Sequence, residues 1–178
     1  DSSAFVWIFD KTTFFMTLNA LALILGVCCT KFLNDRFEKK LLLIVLSLGS
    51  AIAGAALFFI PPDQYWTMLA VSCIGAIIAG PTAPLVWAMY GDVADYSEWR
   101  FKRRMTGLVF SATMFAQKFG LTIGAGLSGW LLAYFGYMAN MPQTEDSLMG
   151  IRLLFTFIPA AFALLNVFAL AFYSLTDT

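Results

Sequence analysis

Histidine is absent from this chain, and charge is scarce: only 12% of its 178 residues are Asp, Glu, Lys or Arg. The first absence excludes histidine-based catalysis and histidine proton relays. The second excludes a soluble globule, because a soluble domain averages about 25% charged residues. Cys28, Cys29 and Cys73 lie inside apolar runs without metal-ligand spacing. They read as small packing residues rather than as a disulfide or metal framework. No P-loop, GxSxG, HExxH or dinucleotide fingerprint occurs, so nothing points to an enzyme and no cofactor is expected. With a formal net charge of zero, no nucleic-acid partner is expected either. What is present is apolar: 60% of residues are hydrophobic and the mean hydropathy is +0.78. The chain reads as an integral membrane protein with the lipid bilayer as its first partner.

Five apolar segments are long enough to cross a hydrocarbon core of about 30 Å. They cover about 13–33, 41–60, 65–90, 106–134 and 148–175. Each is a continuous run without period-2 alternation, so helices are expected rather than barrel strands. Residues 1–12 are too short to span and read as a loop or as the end of a missing helix. The chain opens with Asp1 rather than Met and has no signal-peptide n-region. It therefore reads as a piece of a longer protein.

Charge placement predicts an orientation. The segments 34–40 and 92–104, with Lys31, carry eight of the eleven Lys and Arg residues. PPDQ (61–64) and MANMPQTEDS (138–147) carry none. By the positive-inside rule the basic segments and the C-terminus are cytoplasmic and residues 1–12 lie outside. Lys11 and Arg152 then sit at the outer interface, where long side chains snorkel.

Lys118 is the most informative residue. It is the one charged residue between Phe110 and Tyr137. A lone cation at that depth costs about 2.5–3.5 kcal/mol even on the mildest insertion scale. It lies about 12 residues, or roughly 18 Å of helix, from the basic end, which is too far for easy snorkelling. It therefore points either to a transport site or to a structural lysine bonded to backbone carbonyls. Ser111 and Thr122 share its helical face, and Gln117 lies about 100° away.

Gly120, Gly124, Ala125, Gly126, Ser128 and Gly129 crowd the same span. They suit close helix approach, whether for static packing or for a sliding surface. The second span carries a similar string, from Gly49 to Ala55. In the third, GPTAPLVWAMYGD places Gly80, Pro81 and Pro84 in one turn, which predicts a kink or the break found at transporter binding sites. Trp87 is either cavity lining or an interface residue. Asn19 and Asn166 are single amides suited to bonds between helices or, as the lesser alternative, to a ligand. Asp92, Asp95 and Glu98 precede Arg100, Lys102, Arg103 and Arg104 in what reads as a loop. Those charges are either simply solvated or form a latch of ion pairs between helix ends.

The stretch PLVWAMYGDVADYSEWRFKRRMTGLVFSATMFAQKFGLTIGAGLSGWLLAYFGY (84–137) resembles the glycoside–pentoside–hexuronide:cation symporters of the major facilitator superfamily. Its most specific part is D-x-x-D-Y-x-E-aromatic, at Asp92, Asp95, Tyr96, Glu98 and Trp99. A basic cluster and a helix with one lysine follow, and GIR (150–152) and IPA (158–160) fit the family's last helix. The resemblance implies an all-α polytopic fold: helices eight to twelve of an expected twelve, most of the C-terminal six-helix half. It implies alternating-access symport of a sugar with H⁺, Na⁺ or Li⁺, in a bacterial inner membrane. The partners it implies are a glycoside, a monovalent cation and the missing N-terminal half, which carries the cation-binding carboxylates.

Lys118 corresponds to the lysine near the family's sugar and cation sites, with Gln117, Ser111, Thr122 and Trp87 as further candidates. Asp92, Asp95, Tyr96, Glu98, Arg103 and Arg104 correspond to the cytoplasmic gate. In one member an aromatic residue stands where counting back from Asp92 gives Ala83. The alternatives are a facilitator with a non-sugar substrate and, from another class, a membrane sensor or membrane-embedded enzyme.

Overall fold

The computed structural model describes residues 2–61, 63–103 and 105–173 and is helical throughout. The helices are α1 (Ser2–Asn34), α2 (Lys39–Phe59), α3 (Tyr65–Ala79), α4 (Thr82–Phe101), α5 (Thr106–Tyr134), α6 (Glu145–Phe155) and α7 (Phe157–Ala171). Among the described residues, five helical stretches are long and apolar enough to cross a membrane: Asp10–Asn34, Lys39–Phe59, Tyr65–Phe101, Thr106–Tyr134 and Glu145–Ala171.

Three segments differ from the sequence reading. Residues 2–12 are not a loop but the first turns of α1. No Gly or Pro occurs before Gly26, so nothing interrupts the helix, which runs for about 50 Å. The segment 92–101 is likewise not a loop. α4 continues through Asp92, Asp95 and Glu98 to Phe101, and only Lys102, with φ 55°, turns the chain out of the helix. Charged side chains do not break a helix; they let it outrun the bilayer. The last span is split at Thr156 into α6 and α7, and its expected end at Leu175 lies outside the described residues. Pro159 explains the split, because its ring lacks an N–H and crowds the carbonyl four residues back. That carbonyl belongs to Phe155, the last residue of α6.

The break between α3 and α4 has the same origin. Pro81 and Pro84 cannot donate, so the ladder lapses there and restarts with Leu85 N–H donating to Pro81 O at 3.2 Å. Proline is well tolerated in a first helical turn. α6 is capped by Thr144, whose hydroxyl accepts from Ser147 N–H at 3.3 Å. Glu145 and Asp146 follow in the first turn, where negative charge suits the helix dipole.

α2 is the hub. Leu42 and Leu43 of α2, Leu85 and Met89 of α4 and Leu170 of α7 form a buried cluster. Further along, Asn166 Nδ2 reaches Ser47 Oγ at 3.4 Å, joining α7 to α2. Phe157 meets Phe58 edge-on, with ring centres 4.8 Å apart. Arg152 is tied to the end of α2: its Nη2 donates to Ile60 O at 2.9 Å. That bond places a cation where the helix dipole is negative. α1 packs along α3 in a similar way. Tyr65 Oη donates to Lys11 O at 2.9 Å, and Ser72 Oγ donates to Asn19 Oδ1 at 2.6 Å. Both asparagines therefore bond between helices.

The tightest crossing is that of α1 with the α3–α4 break. A Cβ on Gly80 would stand 2.6 Å from Leu23 O and 2.8 Å from Gly26 Cα. In the second span, a Cβ on Gly49 would stand 3.1 Å from Ile78 Cγ2, as its small-residue string suggests. α5 is different. None of its described residues is buried, and Gly120, Gly124, Gly126 and Gly129 have nothing within 4 Å among the described residues. The cysteines also depart from the packing role: Cys28 and Cys29 are exposed and Cys73 is half-buried.

α5 is held at two points. Phe110 stacks on Trp87 of α4, and Phe135 beyond the other end lies over Gly150 of α6. A Cβ at Gly150 would be 2.7 Å from Phe135 Cβ. Gly150→Ala is therefore expected to expel the Phe135 ring and cost about 1–3 kcal/mol. Thermal unfolding in detergent checks this, with Phe135→Ala as the partner that should relieve the clash.

Candidate functional site

α4 and α5 diverge from their Trp87–Phe110 contact and leave a cavity of about 660 Å³ between them. Thr82, Ala83, Val86, Trp87 and Tyr90 of α4 form one wall, a stripe with helical spacing. Ala112, Thr113, Ala116 and Gln117 of α5 form the other, and Leu43 of α2 and Asn166 of α7 complete the lining. The aromatic residues are held in place. Trp87 stacks on Phe110 at 6.1 Å with an interplanar angle of 17° and meets Tyr90 edge-on at 5.8 Å. It is still 37% exposed, so part of the indole remains open. Ala83 and Trp87 share this wall.

The polar lining is neutral. Thr82 Oγ1 donates to Ala79 O at 2.6 Å and Thr113 Oγ1 to Val109 O at 2.9 Å. Each hydroxyl donor is used, and oxygen lone pairs remain to accept from a guest. The Gln117 amide makes no hydrogen bond among the described residues and offers both donors and an acceptor.

Of the five residues nominated from sequence for the substrate or cation site, the cavity gathers Gln117 and Trp87. Lys118, Ser111 and Thr122 lie on another, exposed face of α5. The two hydroxyls there bond their own helix: Ser111 Oγ to Leu108 O at 3.1 Å and Thr122 Oγ1 to Lys118 O at 3.0 Å. The Lys118 side chain has no hydrogen-bond or ion-pair partner among the described residues. Sequence reasoning did not nominate Thr113 or Tyr90, and it raised Asn166 only as an amide for a helix or a ligand. A usable signal was present for Thr113, which stands four residues before Gln117 on the same face.

The nominated gate residues lie on and just after the extended end of α4. Asp92 Oδ2 pairs with Lys39 Nζ of α2 at 2.8 Å, a partner outside its own segment. Tyr96 Oη accepts from Arg100 Nη1 at 2.7 Å, and the guanidinium lies 5.9 Å from the Tyr96 ring centre. Tyr96 is thus tied to its own helix. Asp95, Glu98 and Arg103 are exposed, and Arg104 lies outside the described residues. The Lys39–Asp92 side chains are 21% and 37% exposed, so the pair is partly screened. Asp92→Asn is expected to change stability by no more than about 1 kcal/mol. A larger loss of thermal stability would show that the pair holds α2 to α4 rather than serving as an easily broken contact.

The family described as MFS/sugar transport protein matches residues 7–177. The chain belongs to that family. Three relatives show the range of this MFS/sugar transport group, all from Escherichia coli strain K12. YagG, named provisionally as a glycoside/cation symporter, is 32% identical over 94% of this chain and 37% of its own length. The inner membrane symporter YicJ is 34% identical over 91% of this chain and 36% of its own length. The glucuronide carrier protein homolog is 34% identical over 79% of this chain and 30% of its own length. The chain therefore spans about a third of the length of these curated relatives. No solved structure matches it.

Proposed function

We propose that the chain is one side of a secondary active transporter that carries a sugar or glycoside with a monovalent cation, H⁺, Na⁺ or Li⁺. The observation that carries this reading is the α4–α5 cavity, where an indole stands among neutral hydroxyls and amides. Aromatic faces receive the C–H faces of a sugar ring, and neutral polar groups exchange hydrogen bonds with its hydroxyls. Membership of the sugar-transport family and relatives named for glycoside, cation and glucuronide support the same class.

In this proposal the helices correspond to eight through twelve of twelve. Lys118, Ser111 and Thr122 face the remainder of the protein. There the lysine compensates cation-site carboxylates or bonds the sugar, its side chain having no hydrogen-bond or ion-pair partner among the described residues. Alternating access then consists of this bundle rocking against the remainder about a midplane site. The basic end, with Asp92, Asp95, Tyr96, Glu98, Arg103 and Arg104, lies on the cytoplasmic side as the contact that opens and closes. The broken helix at Gly80–Pro81 sits beside the cavity wall, as in transporters whose discontinuous helices frame a site.

The test is uptake by the whole transporter in proteoliposomes, with labelled xylosides, galactosides and glucuronides under imposed H⁺ or Na⁺ gradients. Gradient-driven accumulation of a sugar is the expected result. Folded, inserted protein that accumulates none of them would leave the fold standing and remove the function.

A further inference from the structure

We propose that the recess at the C-terminal end of α4, lined by Tyr96, Trp99, Arg100 and Lys102, is a docking site for the headgroup of an anionic phospholipid. The transport reading leaves Trp99, Arg100 and Lys102 unused, and the lipid site stands whatever the transporter carries.

The recess exists because α4 outruns its neighbour. α4 buries Leu85 and Met89 against α2, and Asp92 on the same stripe meets Lys39, the first residue of α2. α4 continues to Phe101, so the stripe runs past the start of α2 as Tyr96 and Trp99, at steps of four and three residues. No residue of α2 lines the recess there. Lys102, with φ 55° and its N–H donating to Glu98 O at 2.9 Å, folds the chain back. Its side chain completes a hollow of about 560 Å³. The Tyr96 and Trp99 ring centres are 5.9 Å apart. The Arg100 guanidinium lies 5.9 Å from the centre of Tyr96 and 5.8 Å from that of Phe101.

Both cations have donors to offer. Arg100 spends one N–H on Tyr96 Oη at 2.7 Å, out of the five that a guanidinium carries. Lys102 Nζ has no hydrogen-bond or ion-pair partner among the described residues. Asp95 and Glu98 stand about 140° and 160° round the helix from Arg100, and neither lines the recess. Two cations with no carboxylate between them suit a phosphate, which Arg grips through paired N–H groups. The rings decide where that phosphate comes from. Trp99 is 70% exposed and Phe101 59%, an arrangement that suits headgroup level, where aromatic rings gather. Tyr96 and Trp99 stand about 6 and 10 Å along the helix beyond Asp92, against a headgroup layer about 5–7 Å thick. Helical side chains also lean toward the N-terminus, which in the spanning stretch Tyr65–Phe101 is back toward the membrane. A soluble phosphate has no use for these rings, whereas a lipid rests its glycerol and upper acyl carbons on them.

The probes are phosphatidylglycerol and phosphatidylcholine, each brominated on the acyl carbons nearest the headgroup. In nanodiscs of the whole transporter, the bromine quenching that disappears in Trp99→Phe reports lipid at Trp99. Phosphatidylglycerol is expected to be favoured by at least about tenfold in apparent affinity, because each Lys or Arg near an anionic surface is worth about fivefold. Arg100→Gln/Lys102→Gln should reduce that preference to about twofold or less. Lys102→Gln alone, which removes no hydrogen bond or ion pair among the described residues, should lower it about threefold to fivefold. Equal quenching by the two lipids, or a preference unchanged in both variants, overturns the inference. Quenching by neither lipid overturns it as well and assigns the recess to a neighbouring protein surface. Displacement of the brominated phosphatidylglycerol when inorganic phosphate replaces chloride at constant ionic strength makes this a soluble-phosphate site and overturns the lipid assignment.

Discussion

In the whole transporter, Lys118→Ala is expected to insert and fold at least as well as the parent and to accumulate no substrate against a gradient. The two halves of that result have separate causes. The lysine is exposed on α5 and has no hydrogen-bond or ion-pair partner among the described residues, so its removal deletes no contact within this bundle. It also removes a charge that costs the span about 2.5–3.5 kcal/mol in lipid, so stability should hold or rise. Loss of function follows if that charge is needed across the interface with the remainder of the protein. There, truncating one partner of a buried charge pair costs about 2–5 kcal/mol, which corresponds to a fall of about thirtyfold to several thousandfold. Uptake with an imposed gradient, alongside thermal unfolding of the same preparation, reads both halves. Normal accumulation by a stable variant would sink the assignment of Lys118. Joint loss of stability and uptake would make it a structural lysine.

The second large effect is expected at Gly80. Its missing side chain leaves room for the α1 backbone: a Cβ there would be 2.6 Å from Leu23 O and 2.8 Å from both Gly26 Cα and Gly26 C. All of these are backbone atoms, which cannot rotate aside as a flexible side chain can. Gly80→Val should therefore force α1 off the α3–α4 break and cost about 3 kcal/mol or more. Gly26→Ala, on the opposite side of the same crossing, should also destabilise. The double change Gly26→Ala/Gly80→Ala should cost clearly less than the sum of the two single changes, because one displacement of α1 relieves both clashes. Thermal unfolding of the four proteins decides it. Strict additivity would mean that the two glycines do not share a contact.

Hydropathy made the spans legible because a bilayer imposes length and apolarity together. It could not show where helices end in water. The charges from Asp92 to Arg103 looked like a loop, yet Gly91 is the sole Gly or Pro between Pro84 and Lys102, and α4 simply continues. The split at Thr156 was written in Pro159, one turn downstream, within a run that hydropathy reads as seamless.

The candidate site was harder to read. α5 carries polar residues on two faces, Ser111–Lys118–Thr122 and Thr113–Gln117, and sequence gave more weight to the one with the charge. Which face meets α4 is decided by the Trp87–Phe110 stack, a contact between residues far apart in the chain. The Lys39 partner of Asp92 lay beyond reach, because pairing α2 with α4 requires the tertiary fold.

The loose seating of α5 has a consequence for biogenesis. It combines a lysine in the middle of its span with the weakest apolar drive of the five spanning stretches among the described residues, and none of its described residues is buried. As it leaves the ribosome it is the span with the smallest free-energy reason to leave the translocon for lipid. Within this bundle its contacts are with α4 and α6, and these are what retain it. Membrane integration of this polypeptide is thereby linked to packing: α5 stays in the bilayer by its seating on α4 and α6 more than by its own apolarity.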